Sequence, residues 1–104
     1  MGKSKVDDVA HGGPGQCLPV AECRRGEMVR LRGSLRTLTL QPRGGVPFLE
    51  AELRDEAGDA LDIIFMGRRQ IPGIVPGREV IVEGRLTSDE GRRTMYNPRY
   101  ELLS

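Results

Sequence analysis

An all-β fold is what this sequence predicts: a small five-stranded Greek-key barrel with a short helical plug between strands 3 and 4. Three observations predict it. Short runs of alternating apolar and polar residues are separated by turn clusters. The first of these runs changes its apolar parity partway along. The chain then closes on two strand-like runs, Arg78–Leu86 and Arg92–Leu103, joined by the polar link Thr87–Gly91.

Composition agrees with that class. A chain of 104 residues holds one domain and one modest core. Apolar residues make up 38%, and 14 glycines and seven prolines favour many short strands over long helices. A net charge of +1 gives no global pull toward nucleic acid. The basic residues are nonetheless almost all arginine, since only Lys3 and Lys5 are lysine. Arginine suits bidentate phosphate contacts and stacking on bases, although a GC-rich coding sequence produces the same bias.

Residues 1–16 read as a flexible N-terminal tail, rich in Gly, Ser, Lys and Asp, and they carry the only histidine, His11. The barrel domain is expected over 17–104. Residues 17–25 form an adaptor segment whose Leu18, Val20, Ala21 and Cys23 can cover an open barrel end. Cys17 and Cys23 are spaced so that a disulfide is feasible, but no apolar signal segment precedes them, so a reducing, cytoplasmic setting is expected. No second Cys or His pair completes a zinc site, and no run approaches a membrane span. No cofactor is expected.

The first strand is long, Met28–Gln41. Val29, Leu31, Gly33 and Leu35 alternate against Arg30, Arg32, Ser34 and Arg36, and then Leu38 and Leu40 take the opposite parity. Such a slip marks a bulge or sharp bend near Arg36-Thr37, and Gly33 is a second place where the strand can curl. A small closed barrel needs this, because its first strand serves both sheets. After the turn cluster Gln41–Val46, the second strand, Pro47–Asp55, puts Leu49, Ala51 and Leu53 inward and Phe48, Glu50, Glu52 and Arg54 outward. Glu56–Asp59 makes a hairpin turn. The third strand, Ala60–Met66, sends Leu61, Ile63 and Phe65 inward and Asp62, Ile64 and Met66 outward. In Gly67–Gly77, Ile71, Ile74 and Val75 are interrupted by Pro72 and Pro76, which allows a turn or two of helix as a plug. The fourth strand buries Val80, Val82 and Leu86. The fifth, Arg92–Leu103, contains Pro98, which implies an edge or a bulge, and places Tyr100 inward and Tyr96 outward.

Three strands, a plug and two more strands is the order of the OB-fold. The stretches Val29–Leu35, Leu49–Asp55, Leu61–Arg69 and Pro76–Leu86 resemble the anticodon-binding type of OB-fold. That superfamily includes anticodon domains of tRNA synthetases and the wedge domain of branched-DNA helicases. Gly67–Ile74 (Gly-Arg-Arg-Gln-Ile-Pro-Gly-Ile) with Tyr96–Leu102 (Tyr-Asn-Pro-Arg-Tyr-Glu-Leu) is similar to the small stand-alone OB-fold proteins of actinobacteria. The resemblance covers roughly residues 20–103 and implies nucleic-acid binding, although a fold alone does not establish a function.

OB-folds normally bind single strands across the second and third strands, between the loops joining strands one and two and strands four and five. The candidate nucleic-acid-binding residues are therefore Arg43 in the first loop, Arg92 and Arg93 at the exit of the second, and Arg30, Arg32 and Arg36 on the first strand. Phe48 and Tyr96 are candidate stacking platforms. Against them stand Glu50, Glu52 and Asp62, outward on the strands that would hold the ligand, and the alternative for Phe48 is a cap on the barrel mouth. With four aromatic rings and no Trp, binding is expected to be weak and mainly electrostatic, to single-stranded DNA or RNA. Arg24-Arg25 and Arg68-Arg69 read as solvated turns.

An enzyme is not expected. His11 lies in the tail, the cysteines lie in the adaptor, and Asp55, Glu56 and Asp59 suit a turn. The competing class is a protein-interaction or oligomerisation adaptor. Outward Ile64, Met66 and Ile81 would supply its apolar patch, for a protein partner or a homodimer, unless residues 17–25 fold over them.

Overall fold

The parity change in the first strand sets the architecture. The computed structural model describes residues 16–103, so of the expected tail only Gln16 falls within the described residues. Among them are seven strands: β1 (Met28–Arg43), β2 (Val46–Arg54), β3 (Ala60–Met66), β4 (Glu79–Arg85), β5 (Thr87–Asp89), β6 (Arg92–Tyr96) and β7 (Arg99–Leu102). They form one sheet in the order β5-β6-β3-β2-β1-β4-β7. The first half of β1 pairs antiparallel with β4, from Met28 opposite Arg85 to Ser34 opposite Glu79. Its second half pairs with β2, from Ser34 opposite Arg54 to Arg43 opposite Val46. The register shifts between Leu35 and Leu38, where the slip in apolar parity places it. Both Leu35, opposite Leu53, and Leu38, opposite Ala51, thus turn toward the core.

Gly33 lies in that bend. A Cβ there would sit 2.5 Å from the Arg54 carbonyl oxygen and 2.6 Å from Leu53 Cδ2, so only glycine lets β1 and β2 approach this closely. The core within the curl includes Leu31, Leu53, Leu61, Ile63, Val80 and Met95, all essentially buried. Burying each such side chain contributes roughly 1.5–3 kcal/mol. The adaptor closes one end. Val20, in a single 3-10 turn at Val20–Glu22, and Cys23 join the core cluster. The Leu18 N–H donates to the Arg30 carbonyl at 2.9 Å, and the Val20 N–H donates to Asp55 Oδ2 at 2.8 Å. Asp55 Oδ1 meanwhile accepts from the Asp59 N–H at 2.9 Å, so one carboxylate ties the β2–β3 turn to the adaptor.

The expected fifth strand is two strands. β6 runs parallel to β3, and β7 runs antiparallel to β4. Only Asn97 and Pro98 separate them, so one short run of chain joins the two flanks of the sheet and curls it into a partly open barrel. The switch has a local cause. Asn97 takes a positive φ of 48°, its N–H donates to the Ile64 carbonyl at 2.7 Å, and its Oδ1 accepts from the Met66 N–H at 2.9 Å. Pro98 then offers no N–H to either ladder. The expected link Thr87–Gly91 also contains a strand, β5, paired with β6 through the two-residue turn Glu90-Gly91. Both turn residues have positive φ, 53° and 80°, as a type I′ hairpin requires. The barrel is all-β as expected, but it has seven strands where five were expected.

The helical plug is absent from the described residues. Ile71 and Ile74 do fill the core, but they do so from consecutive turns. Pro72 lacks an N–H, and Gly73 and Gly77 adopt φ of 86° and 89°, which interrupts any helix. Two further expectations change. Ile64, expected to be exposed, is only 3% accessible, because β6 lies beside β3 and brings Tyr96 alongside it. Tyr100, expected in the core, is 41% exposed on the edge strand β7 and meets buried Phe65 edge-on at a ring separation of 5.9 Å.

Candidate nucleic-acid interface

Along β2, β3 and β6, alternate residues turn away from the core and line one open groove. Glu50, Glu52, Asp62 and Ile64 form its floor, Thr37, Thr39 and Arg43 of β1 bound one side, and Asp89 and Arg92 of the β5–β6 hairpin bound the other. Its cavity is about 340 Å³. The groove lies between the β1–β2 turn and the hairpin, the position in which an OB-fold takes a single strand.

The groove is acidic. Glu50, Glu52, Asp62, Asp89 and Glu90 line it, against the guanidiniums of Arg43 and Arg92. Both of those cations are already engaged. Arg43 Nη2 donates to Glu50 Oε2 at 2.7 Å. Arg92 donates to both oxygens of Asp62, and this bond with the carboxylate charge raises the arginine pKa above its ordinary value. Next to the groove, Arg54 is bonded to Glu52 at 3.2 Å. Exposed pairs of this kind contribute little to stability. Their chemical consequence is larger, because a phosphate must compete with a carboxylate for either guanidinium.

Just beyond one end of the groove, the same face turns apolar. Phe48 is opposite Met66, and in the next row Tyr96 is beside Ile64, which is opposite Glu50. Phe48 is half-buried, Met66 is 44% exposed and Tyr96 is 36% exposed. The Arg43 guanidinium lies 4.8 Å from the centre of the Phe48 ring, a cation–π contact that holds the side chain at the rim. The Tyr96 hydroxyl donates to Asp89 Oδ2 at 3.0 Å. Partial burial and that bond together raise the tyrosine pKa. Two aromatic faces, a thioether and a guanidinium are thus presented together.

Of the eight candidate binding residues, Arg43, Phe48, Arg92 and Tyr96 are brought together in this way. Arg30 and Arg32 are not. They lie beyond the bend in β1, in a charge ladder across β1, β4 and β7, with Arg30 against Glu101 at 3.5 Å and Arg32 against Glu79 at 3.0 Å. Arg36 is exposed in the bulge. Arg93 follows Arg92 in a strand, so it points to the opposite side of β6 and leaves the groove. Sequence reasoning missed Asp89 and Glu90. Their signal is a two-residue turn ahead of Arg92, and Glu-Gly is a weaker hairpin marker than Asn-Gly. Ile64, Met66 and Ile81 do not form one patch: Ile64 is buried, Met66 edges the groove, and half-buried Ile81 lies on β4 between Arg32 and Glu101. Among the described residues, no helix is long and apolar enough to cross a membrane.

No protein-family model matches the chain, and no curated protein sequence matches it. Solved structures do. The chain is similar to RecG bound to a three-way DNA junction, with a TM-score of 0.69 and 18% identity over 85% of this chain and 12% of that one. It is similar to the second OB-fold domain of replication protein A from Methanococcus maripaludis, with a TM-score of 0.67 and 8% identity over 86% of this chain and 96% of that domain. It is also similar to the S. pombe Stn1–Ten1 complex, with a TM-score of 0.58 and 17% identity over 73% of this chain and 57% of that one. The chain therefore spans about an eighth of the RecG chain and nearly the whole of the replication protein A domain. At these identities the likeness is one of fold, and the fold is the OB-fold.

Proposed function

We propose that this chain is a non-enzymatic OB-fold module that binds single-stranded nucleic acid weakly, with bases on Phe48 and Tyr96 and phosphates near Arg43 and Arg92. The observation that carries the reading is the placement of two outward aromatic rings just beyond one end of the groove, with Arg43 fixed over one of them. Base–aromatic stacking is worth roughly 1–3 kcal/mol per base and tolerates any sequence. The likeness to a replication protein A domain and to RecG on a DNA junction supports the same class. Weakness follows from the carboxylates. Each groove arginine shares its charge between an existing carboxylate and the phosphate, and Glu52, Asp89 and Glu90 repel the backbone as it arrives. The finer resemblance, to stand-alone actinobacterial proteins of the anticodon-binding type acting in the cytoplasm, belongs to the same proposal. Titration of labelled single-stranded DNA, single-stranded RNA and duplex at two salt concentrations tests it. Preference for single strands is expected, and contact with three to five phosphates gives a log–log salt slope of about −2 to −3.5. Equal or stronger duplex binding overturns it.

A protein-interaction or oligomerisation reading is favoured by the likeness to the Stn1–Ten1 complex and by exposed Met66. A concentration-dependent dimer that Met66→Glu abolishes, without strand binding, would select it. Ile64 is buried and cannot contribute to that surface.

A further inference from the structure

Arg93 leaves the groove but does not face open solvent alone. On the far side of the β5–β6 hairpin it lines a second cleft of about 380 Å³ with Arg25, Cys23, Leu86, Thr87, Ser88 and Gly91. Among the described residues, no carboxylate lines this cleft. Neither Arg25 nor Arg93 has an ion pair or a side-chain hydrogen bond among the described residues, in contrast to both groove arginines. Two neighbouring guanidiniums with no anion between them repel each other, and an anion relieves the repulsion.

The walls are built in advance. The turn that carries Arg25 is closed by Glu27 N–H to the Arg24 carbonyl at 3.2 Å. It is fastened to the end of β4 by Gly26 N–H to the Leu86 carbonyl at 2.8 Å and by Leu86 N–H to the Glu27 carbonyl at 2.9 Å. Arg85 Nη1 adds a bond to the Gly26 carbonyl at 2.6 Å. Arg93 is held from the other side by its ladder position opposite Ser88, whose hydroxyl is on the same face and can donate to the same anion. Exposed Arg93 and buried Cys23 line the same cleft, and the Arg93 charge acts on the Cys23 thiol. The carboxylates of Glu27, Glu22 and Asp55 also act on that thiol, but none of the three lines the cleft.

We infer that this cleft binds a backbone phosphate of the same single strand whose bases occupy the groove, so that the strand crosses the β5–β6 hairpin. The inference rests on the strand-binding reading. Arg92 and Arg93, adjacent in β6 and pointing to opposite sides, mark the two banks of that crossing. The groove bank orients bases and takes phosphate only in competition with its carboxylates, while the far bank, among the described residues, has no carboxylate lining.

The test compares the full chain with the double variant Arg25→Gln, Arg93→Gln. Oligo-dT of four and of fifteen nucleotides is titrated by fluorescence anisotropy across a salt series. The variant should bind the longer oligomer about five- to tenfold more weakly, with a salt slope flatter by about 1.4 for two lost contacts. The four-nucleotide strand, which fills the groove alone, should be affected far less. A circular-dichroism melt confirms that the variant is folded. If the native chain binds the longer strand and the variant binds it equally well with the same slope, the crossing is wrong while the groove reading stands. If the native chain binds neither oligomer at low salt, the strand reading falls and this inference falls with it. Titration of inorganic phosphate, followed at the Arg25 and Arg93 guanidinium resonances, separates the components. A saturable shift there, accompanied by amide shifts at Ser88 and Gly91 that the variant loses, supports an anion site, and no shift at either arginine overturns it.

Discussion

Arg92 holds both carboxylate oxygens of Asp62, Nε to Oδ2 at 2.5 Å and Nη2 to Oδ1 at 2.9 Å. A phosphate taken bidentately on that edge of the guanidinium competes for those same two donors. Asp62 is therefore a built-in competitor for the ligand, and Glu50 plays that part for Arg43.

Asp62→Asn should tighten single-strand binding. Removing the charge frees the guanidinium and lowers repulsion, so affinity should rise about three- to tenfold and the salt slope should steepen by about 0.7. The melting temperature should hardly move, because the pair is exposed. Anisotropy titration of the variant beside the native chain checks this, and unchanged affinity would show that Arg92 takes no phosphate.

Phe48→Ala separates stacking from packing. The ring is half-buried under a cation–π contact with Arg43, so it is not a sealed core side chain. Binding should weaken by roughly 1–3 kcal/mol. Stability should fall by less than the roughly 3–5 kcal/mol of a fully buried Phe. Paired melts and titrations measure both. A large stability loss with unchanged binding would return Phe48 to the role of a barrel cap.

Asp55→Ala should destabilise the domain by about 1–3 kcal/mol, since it removes acceptors from two backbone N–H groups, those of Val20 and Asp59. Asp55→Asn keeps one carbonyl acceptor and should lose less. Urea unfolding of both variants checks the order.

Stability should also fall in alkali. Burial raises the Cys23 thiol from 9.0 to about 11, against the partial opposition of Arg93. The unfolded thiol ionises first, so the unfolded state binds fewer protons between those values. The contribution is whole below pH 9, declines toward pH 11 and amounts to roughly 2 kcal/mol. Tyr96 is raised in the same direction, so the native chain must be compared with Cys23→Ala. The difference in stability between the two should shrink as pH rises through that window, and a constant difference would contradict it.

Much of the fold was legible because strand parity is a strict signal. The bend at Arg36-Thr37, the double role of β1 and the inward sets of β2, β3 and β4 all follow from period-two alternation. What escaped was set by partners far away in sequence. Arg92–Leu103 is one run in sequence apart from the break that Pro98 implies, and the hydrogen bonds of Asn97 to Ile64 and Met66 divide it between β3 and β4. The strand β5 is three polar residues and exists through its ladder with β6. Ile64 has an outward parity, and its burial depends on β6 lying beside it. The candidate site was legible in part for the same reason. Parity put Phe48, Glu50, Glu52 and Asp62 on one face, but it could not show that the groove arginines are tied to carboxylates, nor that Arg93 shares a cleft with Arg25.

The most direct measurement is an amide chemical-shift map of the labelled full chain at low salt during titration with single-stranded oligo-dT. The expected shifts saturate, are concentrated at Phe48–Glu52 of β2, Asp62–Met66 of β3 and Arg92–Tyr96 of β6, and are lost in parallel as salt is added. No saturable shift on those strands, or shifts centred instead on the Arg30–Glu101 and Arg32–Glu79 side of the barrel, would contradict strand binding in the groove.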